Sequence, residues 1–394
     1  SLLHGSLAFR SPGRRSRATG ASLAATVFAA AALWFTGSPN LAYVIAALGV
    51  IGALGFAFGS VTYRAVLYLP TFTSGAATIT LGSNAGGTRA GGVSTAGTNS
   101  YGVAFQGGLG LLIINNNNLI TTTGANSPGL YLLSNGGGVT VNSYGVTTTG
   151  AATDAIDITS SGASPVSINL ADGGTTSSAT GNGVSVSTGG TAAINVGTTA
   201  STASVSGGLW AMKVSATGAT TLTVAGSVNG GASGAISVSG GAAAITIAGT
   251  VNGGGGAAIS TAGASTVLNN SGTINGYLTL AAAFDTVNNA GTWNAFGANS
   301  QFGRGSVSNN SGVLNINPAG SAAATMTFSS PSTFNNSGVI SLQGVTGAPH
   351  TGDVFSIAGA AYAGSGSAKL LIDANLSTAA VGASGAQSAD QLVT

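Results

Sequence analysis

The stretch Val224-Ala225-Gly226-Ser227-Val228-Asn229-Gly230 returns as Ile247-Ala248-Gly249-Thr250-Val251-Asn252-Gly253, and in shorter form as Ser271-Gly272-Thr273-Ile274-Asn275-Gly276. Val228, Val251 and Ile274 therefore stand at a constant step of 23 residues. Self-similarity at this period, carried by short β-branched runs between glycines, is the signature of a chain coiling into a solenoid, one repeat to a coil. Thr221 to Val224, Ala235 to Val238 and Ala243 to Ile247 alternate small or polar residues with branched ones, as half-buried strands do. One such coil has nothing to bury its inner face against. Stacking supplies it, with each strand pairing in parallel with its copies above and below, about 4.8 Å away. Val228, Val251 and Ile274 then form one inner column. Asn229, Asn252 and Asn275 fall in register beside it, either as a ladder of amides bonded coil to coil or as turn residues tolerating positive φ.

A second version of the repeat precedes this one. Gly97-Thr98-Asn99-Ser100 matches Gly124-Ala125-Asn126-Ser127 after 27 residues, and Gly150-Ala151 follows 26 later, so the sequence places the first coil near Val93. Leu111 to Ile114 reads as a buried strand and Asn115 to Asn118 as an Asn-rich turn. After Asn275 the motif continues at Gly291, Gly312 and Gly338, at intervals of 19, 21 and 26 counted from Gly272, as loops of varying length on a constant core produce. With Gly226 and Gly249 these are the structural repeat glycines. Phe284, Trp293, Phe296, Phe302, Phe328 and Phe334 concentrate here, as a thicker core or as a binding stripe. The expected fold class is all-β, a parallel β-helix.

Glycine at 66 of 394 residues suggests disorder, but 44% hydrophobic residues at regular intervals argues for a packed core. The chain has no cysteine, which excludes disulfides and thiolate metal sites. Arg10, Arg14, Arg15, Arg17 and Arg64 hold five of the nine basic residues, leaving four against seven aspartates beyond them, a balance of −3. Such a surface gives nucleic acid no basic patch, and no nucleic-acid partner is expected.

Residues 1–70 read as a separate segment: a basic arm, an apolar run from Ala21 to Phe35, a Thr36 to Asn40 turn, and a second apolar run from Leu41 to Phe58. Both runs are expected to be helical, and membrane contact is expected only through residues 21–58. The first run has the flank and length of a signal-peptide core; together the two make a candidate two-span hairpin, which by the positive-inside rule keeps the remainder in the cytoplasm. Residues 71–345 form the solenoid, and 346–394 a strand-rich cap.

Asn270 to Ile274, Asn310 to Leu314 and Asn336 to Ile340 share an Asn-Ser-Gly-Thr/Val-Ile/Leu unit. With Thr123 to Leu130, and with Gly352 to Ile357, Tyr362, Leu370 to Asp373 and Ala389 to Val393, they resemble the passenger domains of bacterial autotransporters and the module joining such passengers to their barrel. The resemblance covers roughly Val93 to the end. It implies a right-handed parallel β-helix, exported and displayed at a Gram-negative cell surface as an adhesin. It also implies a translocation β-barrel as partner in the parent protein, since no barrel-like strand pattern lies in this chain.

Catalysis on such a scaffold needs clustered acids with a base. Asp154, Asp157 and Asp172 are the acids closest in sequence, and lyases of this fold pair calcium-binding carboxylates with an Arg or Lys base, here Arg89 or Lys213. However, Asp157 sits in an alternating strand and Asp172-Gly173-Gly174 reads as a turn. His350 and Asp353 have no Gly-x-Ser-x-Gly elbow beside them, and neither a phosphate loop nor a dinucleotide fingerprint occurs. The expectation is a non-catalytic surface protein without cofactor or metal, binding a host or bacterial surface ligand. A polysaccharide lyase and an inner-membrane-anchored structural protein are the alternatives.

Overall fold

The structure, a computed structural model, describes residues 76–85, 88–198, 202–318, 322–344, 351–373 and 389–394. The apolar head and His350 lie outside them. Every regular element among the described residues is a strand, and 32 strands join one hydrogen-bonded network. They form a parallel β-solenoid of about 10 turns.

Each coil contributes strands to three lateral faces. On the first, Leu130–Ser134, Ile156–Ser160, Val184–Thr188 and Trp210–Ala216 stack in that order. On the second, Val166–Leu170 is followed by Ala192–Val196, Thr220–Val224, Ala243–Ile247 and Thr266–Asn270. On the third, Ser227–Asn229, Thr250–Asn252 and Thr273–Asn275 are followed by Thr292–Ala295 and Val313–Ile316. The pairing keeps the 23-residue step in register: Val228 lies opposite Val251, and Val251 opposite Ile274. Trp293, Leu314 and Ile340 extend the same column, and all six side chains are buried. Each contributes about 1.5–3 kcal/mol of transfer free energy, which is what offsets the ordering of a thin coil.

From Trp293 onward the core becomes aromatic. Trp293 stacks on Phe328 at 4.8 Å, Phe355 meets Phe328 edge-on at 4.8 Å, and Phe302 and Phe334 complete the cluster. Four of the six aromatic residues singled out in the sequence are therefore core. The exceptions are Phe284, 73% exposed at a positive φ of 62°, and half-buried Phe296.

Two sequence expectations need correction. Among the described residues the stack begins at Ala77–Leu81, which pairs with residues 112–116, rather than near Val93; a small antiparallel hairpin of Ser83–Ala85 and Thr88–Ala90 intervenes and hides the repeat. Asn115 to Asn118 is not a turn but part of the strand Leu112–Thr122, whose register slips between Asn116 and Leu119 as it passes from the second face to the third. The left-handed corners lie elsewhere, at Asn99, Asn126 and Ala152, each with φ of 52°.

Where the second face turns into the third, one carbonyl serves two donors of the next coil. The amides of Ala248 and Gly249 both donate to the Val224 carbonyl (2.8 and 2.9 Å), and those of Ser271 and Gly272 to Ile247 (2.8 and 3.1 Å). This draws the corners together so closely that a Cβ on Gly249 would stand 1.9 Å from the Gly226 carbonyl oxygen. The same atom on Gly272, Gly291, Gly312 or Gly338 would stand 2.1–2.2 Å from the carbonyl of the preceding glycine, and on Gly226 2.1 Å from that of Ala203. None of the six has positive φ; close approach alone demands glycine. Gly249→Ala should accordingly destabilise by about 1–3 kcal/mol. Gly255→Ala, whose Cβ would meet nothing nearer than 3.4 Å, should be near neutral. Urea unfolding of the two variants checks this, and equal midpoints would contradict it.

Candidate functional site

Stacking the third face places its outward residues in two parallel rows, Ser227, Thr250, Thr273 and Thr292 in one, Asn229, Asn252, Asn275 and Asn294 in the other. In the second row each amide donates to the one before it: Asn252 to Asn229, Asn275 to Asn252 and Asn294 to Asn275, all at 2.6 Å, and Asn315 to Asn294 at 2.7 Å. These asparagines lie in strands and have no positive φ. The amide ladder is thus the correct reading of Asn229, Asn252 and Asn275, and the turn reading is not. An interior rung spends one N–H and one carbonyl lone pair on its neighbours, which leaves one N–H and one lone pair outside the ladder.

Further ladders accompany it that the sequence reading missed. Asn115, Asn142, Asn169 and Asn195 are linked at 2.8–2.9 Å on the second face, and Asn269, Asn288, Asn309 and Asn335 likewise further along. A buried one runs beside the latter: Asn270 donates to Asn289, Asn289 to Asn310 and Asn310 to Asn336, at 2.7–2.8 Å. The recurring Asn-Asn pairs at 269–270, 288–289, 309–310 and 335–336 were the available signal, one residue of each facing out and the next in.

Asn252, Asn275 and Asn294 floor a shallow concavity of about 550 Å³, walled by Gly253, Gly254, Phe296 and Pro318. No charged side chain lines it.

Comparison with family models, curated proteins and solved structures finds no match.

The acids are dispersed and mostly tied to backbone amides. Asp154 accepts from the Asn182 amide at 2.6 Å, and Asp172 from the Thr198 amide at 2.8 Å. In the C-terminal coils buried Asp353 accepts from the Ala324 amide at 2.7 Å, while Asp390 accepts from the amides of Gly352 and Asp353, both at 3.0 Å, and of Asp373 at 2.7 Å. Arg89 does not join the Asp154–Asp157 pair: its guanidinium lies 3.4 Å from the Tyr144 ring centroid and donates to the Asn117 carbonyl at 2.8 Å. Lys213 does share a row with Asp157, but Ser185 stands between them, leaving two strand spacings, roughly 10 Å. Among the described residues no three potential ligands gather as a metal site.

Burial, with the nearby Asp154 carboxylate adding to it, raises the Asp157 carboxyl to about 6. The folded protein holds that proton to a higher pH than the unfolded chain, whose Asp ionises near about 4. Its contribution is therefore present at low pH and lost as pH rises through the interval from about 4 to about 6. Asp157→Asn should raise stability at pH 7 by about 1–2 kcal/mol and leave it little changed at pH 4. A shift of the urea midpoint that is the same at both pH values would contradict this. Buried Asp285, raised by desolvation in the same sense, leaves a residual slope in both proteins.

Proposed function

We propose that this chain is an exported, surface-displayed solenoid of adhesin-like type, a non-catalytic passenger of the autotransporter kind that works through its lateral faces. The observation that carries the reading is the outer surface of the third face, where a row of Ser and Thr runs beside a row of Asn through successive coils, an uncharged array held by its own ladder of amides. An extended surface of this type suits contact with another surface better than turnover of a substrate. The roles of the acids support the same reading: Asp154, Asp172, Asp353 and Asp390 are engaged in holding coils together. In this account the coil is right-handed, as parallel crossovers almost always are. The apolar segment before residue 70 leads to export, and a translocation barrel belongs to the parent protein.

Display is tested directly on intact Gram-negative cells expressing the parent gene. Antibody against the solenoid should label unpermeabilised cells, and a reporter that is active only after export, fused after Arg64, should be active. Labelling that requires permeabilisation, with a reporter active only in the cytoplasm, would replace this function with that of a membrane-anchored internal protein.

A further inference from the structure

The concavity over Asn252, Asn275 and Asn294 has a composition that selects among ligands. It offers a row of amide donors and acceptors one strand spacing apart, a flat apolar ring at Phe296, the Pro318 ring and the bare backbone of Gly253 and Gly254, and no charge. A phosphate or carboxylate ligand would find no cation in it, and a basic peptide no carboxylate. The strands of this face already spend their main-chain groups on the coils above and below, so a peptide gains no strand pairing by lying on it.

We infer that this concavity is a binding site for a neutral oligosaccharide, with Asn252, Asn275 and Asn294 bonding its hydroxyls and Phe296 packing against the apolar face of one sugar ring. Each interior amide retains one N–H and one lone pair beyond those the ladder uses, matching a hydroxyl's capacity to accept and donate together. The ladder fixes those amides before the ligand arrives: Asn275 is held at 2.6 Å on both sides. Little rotamer entropy is then lost on binding, so more of each hydroxyl contact remains as affinity. The volume of about 550 Å³ lies within the ordinary range for small-ligand clefts. A chain of sugars running along the solenoid axis meets one rung per residue to a close approximation, because a sugar unit in an extended chain is nearly as long as one strand spacing. The site extends the proposed adhesin-like function by naming a ligand class, and rests on it only for where the saccharide is encountered.

The test is calorimetric titration of the full chain, held in mild detergent, with cellohexaose, hexa-N-acetylchitohexaose and maltohexaose, and with polygalacturonate as the charged comparison. At least one neutral oligosaccharide should bind in the micromolar to millimolar range, with little salt dependence. Phe296→Ala should weaken it about tenfold or more without moving the thermal midpoint, since that ring lies outside the core cluster. Asn294→Ala should weaken it too, and a crystal or NMR readout of the bound state keeps the result separate from any loss of stability. Absence of binding by all three up to about 10 mM, binding indifferent to Phe296→Ala, or salt-sensitive binding of polygalacturonate alone would each overturn the assignment. Surface labelling of intact cells is independent of this titration, so failure of the saccharide site and failure of the display reading give different results.

Discussion

Each coil rests on the previous one through parallel backbone hydrogen bonds about 4.8 Å apart, and this spacing decides what a column of side chains can contain. Residues must tolerate copies of themselves at contact distance. Aliphatic side chains do so inside, as Val228, Val251 and Ile274 do, and glycines do so at the corner, where Gly226, Gly249 and Gly272 meet backbone to backbone. Like charges do not: two stacked at about 4 Å repel by about 1 kcal/mol even in water and by more near protein. A chain with only 4% charged residues follows from that rule. Where charges occur on the first face they are interleaved, Tyr131, Asp157, Ser185, Lys213 and Ser237 following one another in a single row.

Asparagine is the polar residue that stacking favours, because its amide is both donor and acceptor and bonds an identical neighbour. The structure uses this in two senses. Outer ladders donate toward the preceding coil, Asn252 to Asn229, whereas the buried ladder donates toward the following one, Asn289 to Asn310. The second N–H of Asn270, Asn289 and Asn310 goes to the third face, to the carbonyls of Thr292, Val313 and Val339, so the amide's orientation is fixed by the corner it spans. The same column earlier holds Leu170, Val196, Val224 and Ile247, which shows one position filled by two solutions, apolar contact and amide pairing.

Much of this was legible in the sequence, since a repeat with a constant step fixes register once strands are parallel. The 23-residue step specified which residues face each other around Val228 and Val251, and the recurring glycines marked the corner. What escaped had a physical cause. The four asparagines at 115–118 carry strong turn propensity, yet parallel partners on both sides of Asn115 and Asn116 override it and the whole run stays within one strand. The first coil was hidden because a hairpin interrupts it after Leu81. The concavity beside Phe296 depends on how loops from three coils converge, which spacing along one chain does not encode. The separation of Arg89 from Asp157 was hidden likewise, because Arg89 sits on the inserted hairpin and Asp157 in a strand of the first face.

Register is the claim on which the columns, the ladders and the binding face all rest, and a chain without cysteine allows it to be read by disulfide trapping. Ser227 and Thr250 are in-register partners on adjacent coils, about 4.8 Å apart at Cα, within disulfide range. Ser227 and Asn252 are offset by two residues, about 8 Å apart and beyond that range. Under mild oxidation of the folded protein, the Ser227→Cys/Thr250→Cys pair should close rapidly and the Ser227→Cys/Asn252→Cys pair should not. Equal closure of both pairs, or closure of the offset pair alone, would contradict the in-register solenoid.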